Sequence, residues 1–267
     1  MTLQELFNAA LADLQRQRFA DAEKKLQRLL RKKMSPAESA SVYSLLGTTY
    51  GSWGRHDAAV KSLQKADNLA PSDPSTLMNL CFSLTRTGAY DQAVAAGRQA
   101  VAANPGDEEA HYTLAQALKD SGALTDAADV YNDALGIRND FSSAHNGLGN
   151  VFMEKGDLDA AIACFKRAVE ARPDYAIALN NLGLASREAG NPDAAIEYFR
   201  TSLQTNPQAY LTYNNLGHVY RDRMDWDLAL ENYRKALELN PRFLEAQDNI
   251  GHVLRDQGNY LAAIEAY

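Results

Sequence analysis

The chain has 267 residues, of which 46% are hydrophobic and 23% are charged, and this balance excludes general disorder because enough apolar side chains are present to form a core. Its net charge of -7 disfavours nucleic acid as a partner, since phosphate backbones select basic surfaces. No stretch approaches the roughly 18 uninterrupted apolar residues of a membrane-spanning helix, and the N-terminal sequence lacks a secretory pattern, so we expect no membrane insertion and a cytoplasmic location.

The sequence repeats itself every 34 residues. Leu-Gly pairs recur at this interval at Leu148-Gly149, Leu182-Gly183 and Leu216-Gly217. One position of the repeat is always alanine, at Ala22, Ala59, Ala93, Ala127, Ala161, Ala195, Ala229 and Ala263. Self-similarity at such a period indicates stacked supersecondary units, so we interpret residues 1–267 as one solenoid domain.

The alanine register predicts the boundaries of the repeats. In chain order they are 3–39, 40–73, 74–107, 108–141, 142–175, 176–209, 210–243 and 244–267. The first repeat carries three extra residues between Lys33 and Ala37. The last repeat is incomplete and has no polar capping helix, which predicts that the chain is a fragment of a longer protein.

Each repeat is predicted to form two helices, A and B, joined as a hairpin. Counted from the repeat start, positions 7 and 11 are mostly apolar and share one face of helix A, and positions 20 and 24 share one face of helix B. A small residue at position 8 and the alanine at position 20 allow close contact between the two helices. A glycine near position 15 ends helix A, where Met224 is an exception, and a proline at position 32 usually ends helix B.

These motifs resemble the tetratricopeptide repeat (TPR) family, whose signature combines Leu-Gly, Tyr, Gly, Ala, aromatic and Pro positions. The best matches run from Asn181-Leu-Gly-Leu to Pro207 and from Tyr213-Asn-Asn-Leu-Gly to Pro241. The first repeat departs from the signature, which is consistent with an atypical terminal cap. The resemblance implies an all-α fold, namely an α-solenoid wound as a right-handed superhelix of about eight TPR hairpins, with the last one truncated.

Asparagines recur on helix A at positions that we expect to face the concave groove of the solenoid. They are Asn79, Asn181, Asn215 and Asn249 at position 6, and Asn146, Asn180 and Asn214 at position 5. An asparagine amide offers one acceptor and two N–H donors, which complement the C=O and N–H of a peptide unit. The arrangement resembles the asparagine-rich superhelix of protein O-GlcNAc transferases, which implies a groove that holds polypeptides. The alternative is that these asparagines only cap or solvate helices.

Further candidate groove residues occupy positions 9, 12 and 13 of helix A. Position 9 carries Asn150, His218 and His252, and position 12 carries Arg187, Arg221 and Arg255. Acidic residues follow the arginines, so inter-repeat ion pairs on a solvated face are the favoured interpretation. The two histidines belong to different helices, which packing keeps about 8–10 Å apart, so a metal site is disfavoured.

The N-terminal part of the predicted groove is less polar. Met78, Phe82 and Tyr112 could bind an apolar side chain of a partner, and they could equally be core residues.

No nucleotide-binding, hydrolase or metalloprotease motif occurs, and no cofactor is expected. We therefore expect a non-catalytic scaffold that binds an extended or helical segment of another protein in the groove. The alternative is the substrate-recognition arm of a larger modifying enzyme, a protein glycosyltransferase or methyltransferase, whose catalytic domain would lie beyond residue 267. Self-association through the uncapped last repeat is a further possibility.

Overall fold

A computed structural model of the chain describes residues 2–266 and consists of α-helices and short connections. Contacts between Cα atoms divide it into two compact units, Met1–Asn139 and Asp140–Tyr267. Unit 1 holds eight helices: α1 (Leu3–Gln15), α2 (Phe19–Leu30), α3 (Pro36–Ser52), α4 (His56–Leu69), α5 (Pro74–Arg86), α6 (Tyr90–Ala103), α7 (Glu108–Asp120) and α8 (Leu124–Ile137).

Unit 2 repeats the same pattern with eight further helices in the described part of the chain. They are α9 (Ser142–Glu154), α10 (Leu158–Ala171), α11 (Ala176–Glu188), α12 (Pro192–Thr205), α13 (Tyr210–Asp222), α14 (Trp226–Leu239), α15 (Leu244–Asp256) and α16 (Tyr260–Ala266). In both units each odd-numbered helix packs against the helix that follows it, and successive hairpins stack in chain order. The prediction of an all-α solenoid of about eight helical hairpins is confirmed.

The hairpins close tightly because position 8 often lacks a side chain. A Cβ atom added to Gly183 would lie 2.6 Å from Cε1 of Phe199, and one added to Gly217 would lie 2.6 Å from Cε1 of Tyr233. Both aromatic rings are fully buried, as is Ala195. The helices of these two pairs therefore approach more closely than a Cβ at position 8 would allow.

In all eight hairpins of the described chain, a residue with positive φ follows the first helix. Glycine fills this place after α3, α5, α7, α9, α11 and α15. Gln17 and Met224 adopt the same left-handed conformation, with φ of 58° and 61°, although a Cβ disfavours it. Retention of this geometry without glycine shows that the hairpin dictates the backbone there.

The second repeat begins earlier than its predicted boundary at residue 40. Helix α3 starts at Pro36, because the Ser35 hydroxyl accepts a hydrogen bond from the Glu38 N–H and the Glu38 carboxylate accepts one from the Ser35 N–H. Such a capping box fixes a helix start, and proline suits the first helical position. The three additional residues of the first repeat thus lengthen α3. The other seven predicted repeats each begin at the first residue of a helix.

The first hairpin contains a buried carboxylate in place of an aromatic residue. Asp13 is 1% exposed and accepts hydrogen bonds from Lys25 and Arg18. The hydrogen bond from Lys25 and the positive charges of both partners hold the pKa of Asp13 below its usual value. The atypical repeat is therefore held together by charge as well as by apolar packing. Over residues 2–266, no helix is both long and apolar enough to cross a bilayer.

Candidate functional site

The predicted asparagines of unit 2 lie on the first helices of its hairpins. We call the surface formed by Asn146, Asn150, Asn180, Asn181, Asn214, Asn215 and Asn249 the amide face. Helices α9, α11 and α13 contact one another in this order, and α15 joins the series through the contact of Asn249 with Asn214. The repeat spacing therefore places equivalent amides side by side along unit 2.

Amides of neighbouring repeats are joined by one recurring hydrogen bond. The Nδ2 atom at position 6 donates to the Oδ1 atom at position 5 of the preceding repeat. This bond measures 3.0 Å from Asn181 to Asn146 and 3.0 Å from Asn215 to Asn180. It measures 3.1 Å from Asn249 to Asn214. Because the same bond occurs three times, the register of the repeats fixes it.

Other polar contacts hold the same amides in place. Asn181 also donates to Oδ1 of Asn150 at 3.1 Å, and the Thr212 hydroxyl donates to Oδ1 of Asn180 at 3.0 Å. Asn214 donates to the Glu245 carboxylate at 2.9 Å. The asparagines therefore link the repeats to one another, in addition to any contact with a ligand.

These bonds leave one amide atom unused in several of these asparagines. Within residues 2–266, Asn150 and Asn180 make no hydrogen bond through Nδ2, and Asn181 and Asn215 make none through Oδ1. These four side chains are half-buried, whereas Asn146, Asn214 and Asn249 are only 8%, 2% and 6% exposed. The amide face thus presents fixed donors and acceptors mainly through its four half-buried members.

His218 is built into the end of this network. Asn214 Nδ2 lies 3.2 Å from Nε2 of His218, and the Tyr233 hydroxyl lies 3.0 Å from Nδ1. Since an amide nitrogen can only donate, Nε2 accepts and Nδ1 carries the proton. Burial lowers the pKa of His218, and the nearby charges of Arg187 and Arg221 lower it further. The imidazole is thus a neutral packing element.

The remaining polar candidates have separate surroundings. Arg187 pairs with Asp222 of the next repeat at 2.7 Å, as the ion-pair interpretation predicts, whereas Arg255 pairs with its neighbour Asp256. Arg221 and His252 are half-buried on α13 and α15. No group of three His, Cys, Asp or Glu side chains in residues 2–266 is placed to hold a metal ion.

Unit 1 has a sparser version of the amide face. Asn79 donates to the Thr48 hydroxyl at 3.2 Å, and the hydroxyls of Ser44 and Thr76 are 2.9 Å apart. Hydroxyl groups therefore replace most of the amides in this unit.

The three apolar candidates of unit 1 are not equally exposed. Phe82 is 44% exposed and meets His56 edge-on. Met78 is half-buried against the apolar cluster around Leu77, and Tyr112 is half-buried beside Tyr131. Of the three, Phe82 offers the most surface to a partner.

A surface cleft of about 470 Å³ opens beside the amide face, between α11 and α13. Its lining includes Asn180, Asn181 and Thr212, together with Ile177 and Leu211, which are 60% and 52% exposed. Neither aliphatic residue was predicted from the sequence. Both lie at position 2 of their repeats, so comparison of that position along the repeats would have found them.

Several solved structures share this fold. The chain is similar to a protein in the crystal structure of the APC/C hetero-tetramer Cut9–Hcn1, with a TM-score of 0.70 and 21% identity over 81% of this chain. It spans only 43% of the length of that protein.

Two shorter proteins are also similar. Crystallised MamA has a TM-score of 0.53 and 24% identity, covering 61% of this chain and 95% of MamA. YrrB, described as a TPR protein with an unusual peptide-binding site, has a TM-score of 0.53 and 21% identity, covering 70% of this chain and 96% of YrrB. At these identities the likeness establishes the fold alone.

No curated protein sequence matches the chain. Sequence profiles described as "Tetratricopeptide repeat" match residues 7–74 and 146–210, residues 52–117 and 84–150, and residues 210–243. Together these matches run from residue 7 to residue 243, and they agree with the hairpins of the structure. The chain belongs to the tetratricopeptide repeat family.

Proposed function

We propose that the chain is a non-catalytic scaffold whose amide face binds an extended segment of a partner protein through the backbone of that segment. The observation that carries this proposal is the set of unused amide groups on Asn150, Asn180, Asn181 and Asn215. Their other atoms are held by inter-repeat bonds, so the free donors and acceptors are fixed before a ligand arrives. Such preorganisation lowers the entropic cost of binding.

The spacing of the repeats suits an extended polypeptide. Packed helices lie about 8–10 Å apart, and an extended chain advances about 3.1–3.4 Å per residue. One step along the amide face therefore corresponds to about three residues of a bound segment. The free Oδ1 atoms of Asn181 and Asn215, one repeat apart, would accept backbone N–H groups three residues apart.

The chemistry of the face favours binding with little dependence on ligand sequence, because amides contact the part of a polypeptide that all sequences share. In this respect the face is similar to the asparagine-rich groove of protein O-GlcNAc transferases. We also propose a cytoplasmic location and a scaffold role rather than that of an enzyme arm. The tetratricopeptide repeat profiles that match from residue 7 to residue 243 support a binding role.

Selection from a library of random ten-residue peptides displayed on phage tests the proposal. The informative variant combines Asn150→Asp and Asn180→Asp. Each change keeps the Oδ1 acceptor of the inter-repeat bond and turns the free N–H donor into an acceptor, so the fold is preserved while the ligand contact is reversed.

The matched control combines Asn68→Asp and Asn132→Asp, which add the same charge at exposed positions of α4 and α8. Peptides selected on the unmodified protein should bind the informative variant at least about tenfold more weakly and the control equally well. If the selected peptides bind both variants alike, or if no peptide of the library binds the unmodified protein, the amide face is not a peptide site.

A further inference from the structure

We propose that the cleft between α11 and α13 receives an apolar side chain of the bound segment, which Ile177 and Leu211 contact from either side. This inference rests on the proposed function and adds to it a preference for an apolar side chain at one place in the ligand. The amide face would hold the backbone, and the cleft would fix the register by selecting one residue of the ligand.

The two aliphatic residues occupy a place that is polar in the other repeats. Ile177 and Leu211 stand at position 2, in the first turn of α11 and α13. The other six residues at this position are Gln4, Ser41, Ser75, Glu109, Ser143 and Glu245. Exposed aliphatic side chains in two adjacent repeats therefore form a local apolar surface that the repeat pattern does not require.

The lining of the cleft suits an uncharged apolar side chain. The lining residues are Ala176, Ile177, Asn180, Asn181, Ser202, Asn206, Gln208, Ala209, Tyr210, Leu211 and Thr212, none of which carries a charge at neutral pH. A charged ligand side chain would lose hydration there without gaining an ion partner. An apolar one would remove the exposed faces of Ile177 and Leu211 from water.

The same cleft contains free backbone-binding groups. Nδ2 of Asn180 and Oδ1 of Asn181 make no hydrogen bond within the described residues, and both side chains line the cleft. A residue of the ligand could therefore be held at its backbone while its side chain lies between Ile177 and Leu211. Because groups that can bind a backbone lie beside an apolar surface, an extended polypeptide is the ligand that fits this cleft.

The corresponding cleft of unit 1 has different chemistry. It lies between α3 and α5, has a volume of about 300 Å³, and is lined by Ser41 and Ser75 at position 2 and by Asp73. At position 2, serine hydroxyls replace the aliphatic side chains of Ile177 and Leu211, and Asp73 adds a carboxylate, although Phe7 and Leu45 also line this cleft. Serine is therefore the natural substitute at position 2 for a test.

The experiment uses the peptides selected on the unmodified protein, and fluorescence polarisation measures their affinity. We expect the selected sequences to share an apolar residue at one fixed place, and its replacement by Asp should weaken binding at least about tenfold. In the variant that combines Ile177→Ser and Leu211→Ser, the affinities of the selected peptide and of its Asp-substituted form should differ by less than about threefold. Leu244→Ser, at an exposed residue outside the cleft, is the control and should keep the full difference.

The outcomes separate the two proposals. The proposed role of the cleft is wrong if binding depends on Asn150 and Asn180 but shows no preference for an apolar residue. It is also wrong if that preference is retained in the double serine variant. In both cases the proposed function of the amide face is unaffected. Binding that survives the double aspartate variant contradicts the proposed function itself. Circular dichroism of every variant verifies that the helices are retained, which is expected because Ile177 and Leu211 are exposed.

Discussion

Met224 occupies a place in its hairpin where a glycine ends the first helix in most other repeats. Its φ of 61° lies in the left-handed region, which costs an L-residue roughly 1–2 kcal/mol. The side chain is 71% exposed, so little packing offsets this cost. The sequence marks the exception, and the structure shows that the backbone keeps the conformation that glycine adopts elsewhere.

We predict that Met224→Gly raises the free energy of unfolding by about 0.5–1 kcal/mol, since relief of the strain exceeds the entropic penalty of glycine. Urea denaturation followed by circular dichroism measures the change. Met224→Ala is the control, because alanine retains a Cβ and therefore the strain. Equal stability of the glycine and alanine variants would show that the left-handed backbone is not strained at this residue.

At the scale of helices, the position-6 asparagines have a structural role beside their proposed binding role. Asn181, Asn215 and Asn249 each donate a hydrogen bond to the preceding repeat. Replacement of all three by alanine removes these bonds and leaves the acceptor atoms of Asn146, Asn180 and Asn214 without them. Asn181 also loses its second bond, to Asn150, so four bonds are removed. We predict a loss of about 4 kcal/mol in the free energy of unfolding, at about 1 kcal/mol per bond.

The control for this loss is the pair Asn68→Ala and Asn132→Ala, at exposed residues of α4 and α8. Surface substitutions of this kind usually change stability by less than about 0.5 kcal/mol. If the triple variant is as stable as this control in chemical denaturation, the inter-repeat bonds contribute nothing and the asparagines serve binding alone.

His218 couples the packing of α13 and α14 to pH. Burial and the charges of Arg187 and Arg221 lower its pKa in the folded state, against the opposing influence of Glu245. The unfolded chain, with an ordinary histidine pKa near about 6.5, then binds more protons than the folded one. The contribution of His218 to stability is therefore full above this value and is lost as pH falls from there towards the lower folded pKa.

We predict that the free energy of unfolding falls between pH 7.5 and pH 5, and that His218→Gln makes this fall smaller. Glutamine can still accept from Asn214 and cannot gain a proton. The pKa of His56 is also lowered by burial, but it is common to both proteins, so their difference reports His218. Parallel pH dependences in denaturant titrations would mean that His218 titrates normally in the folded protein.

On the scale of the whole molecule, the fold could be predicted because each hairpin depends on nearby residues. The alanine series, the Leu-Gly pairs and the prolines specify helix pairs without reference to distant parts of the chain. The departures also have local causes. For example, the Ser35 capping box starts α3 at Pro36, which the repeat register alone does not reveal.

The candidate site was only partly predictable. Spacing placed the asparagines on neighbouring helices, but the bond from Asn181 to Asn146 depends on the rotation and approach of those helices, which the sequence does not give. For the same reason, the burial of Asn214 and the contact of His218 with Tyr233 were not foreseen. Ile177 and Leu211 differ from the polar residues at position 2 of the other repeats, so this part of the site could be predicted from the sequence.

The central claim is that the amide face holds a polypeptide by its backbone. The most direct test is isothermal titration of a selected peptide and a series of analogues, each methylated at one backbone nitrogen. Methylation removes a backbone donor while the side chains stay the same. We predict that two analogues, whose methylated nitrogens are about three residues apart, bind at least about tenfold more weakly than the parent peptide. In each of them Oδ1 of Asn181 or of Asn215 no longer receives a backbone hydrogen bond. If every methylated analogue binds as tightly as the parent peptide, the protein does not hold the backbone of the peptide, and the proposed function is wrong.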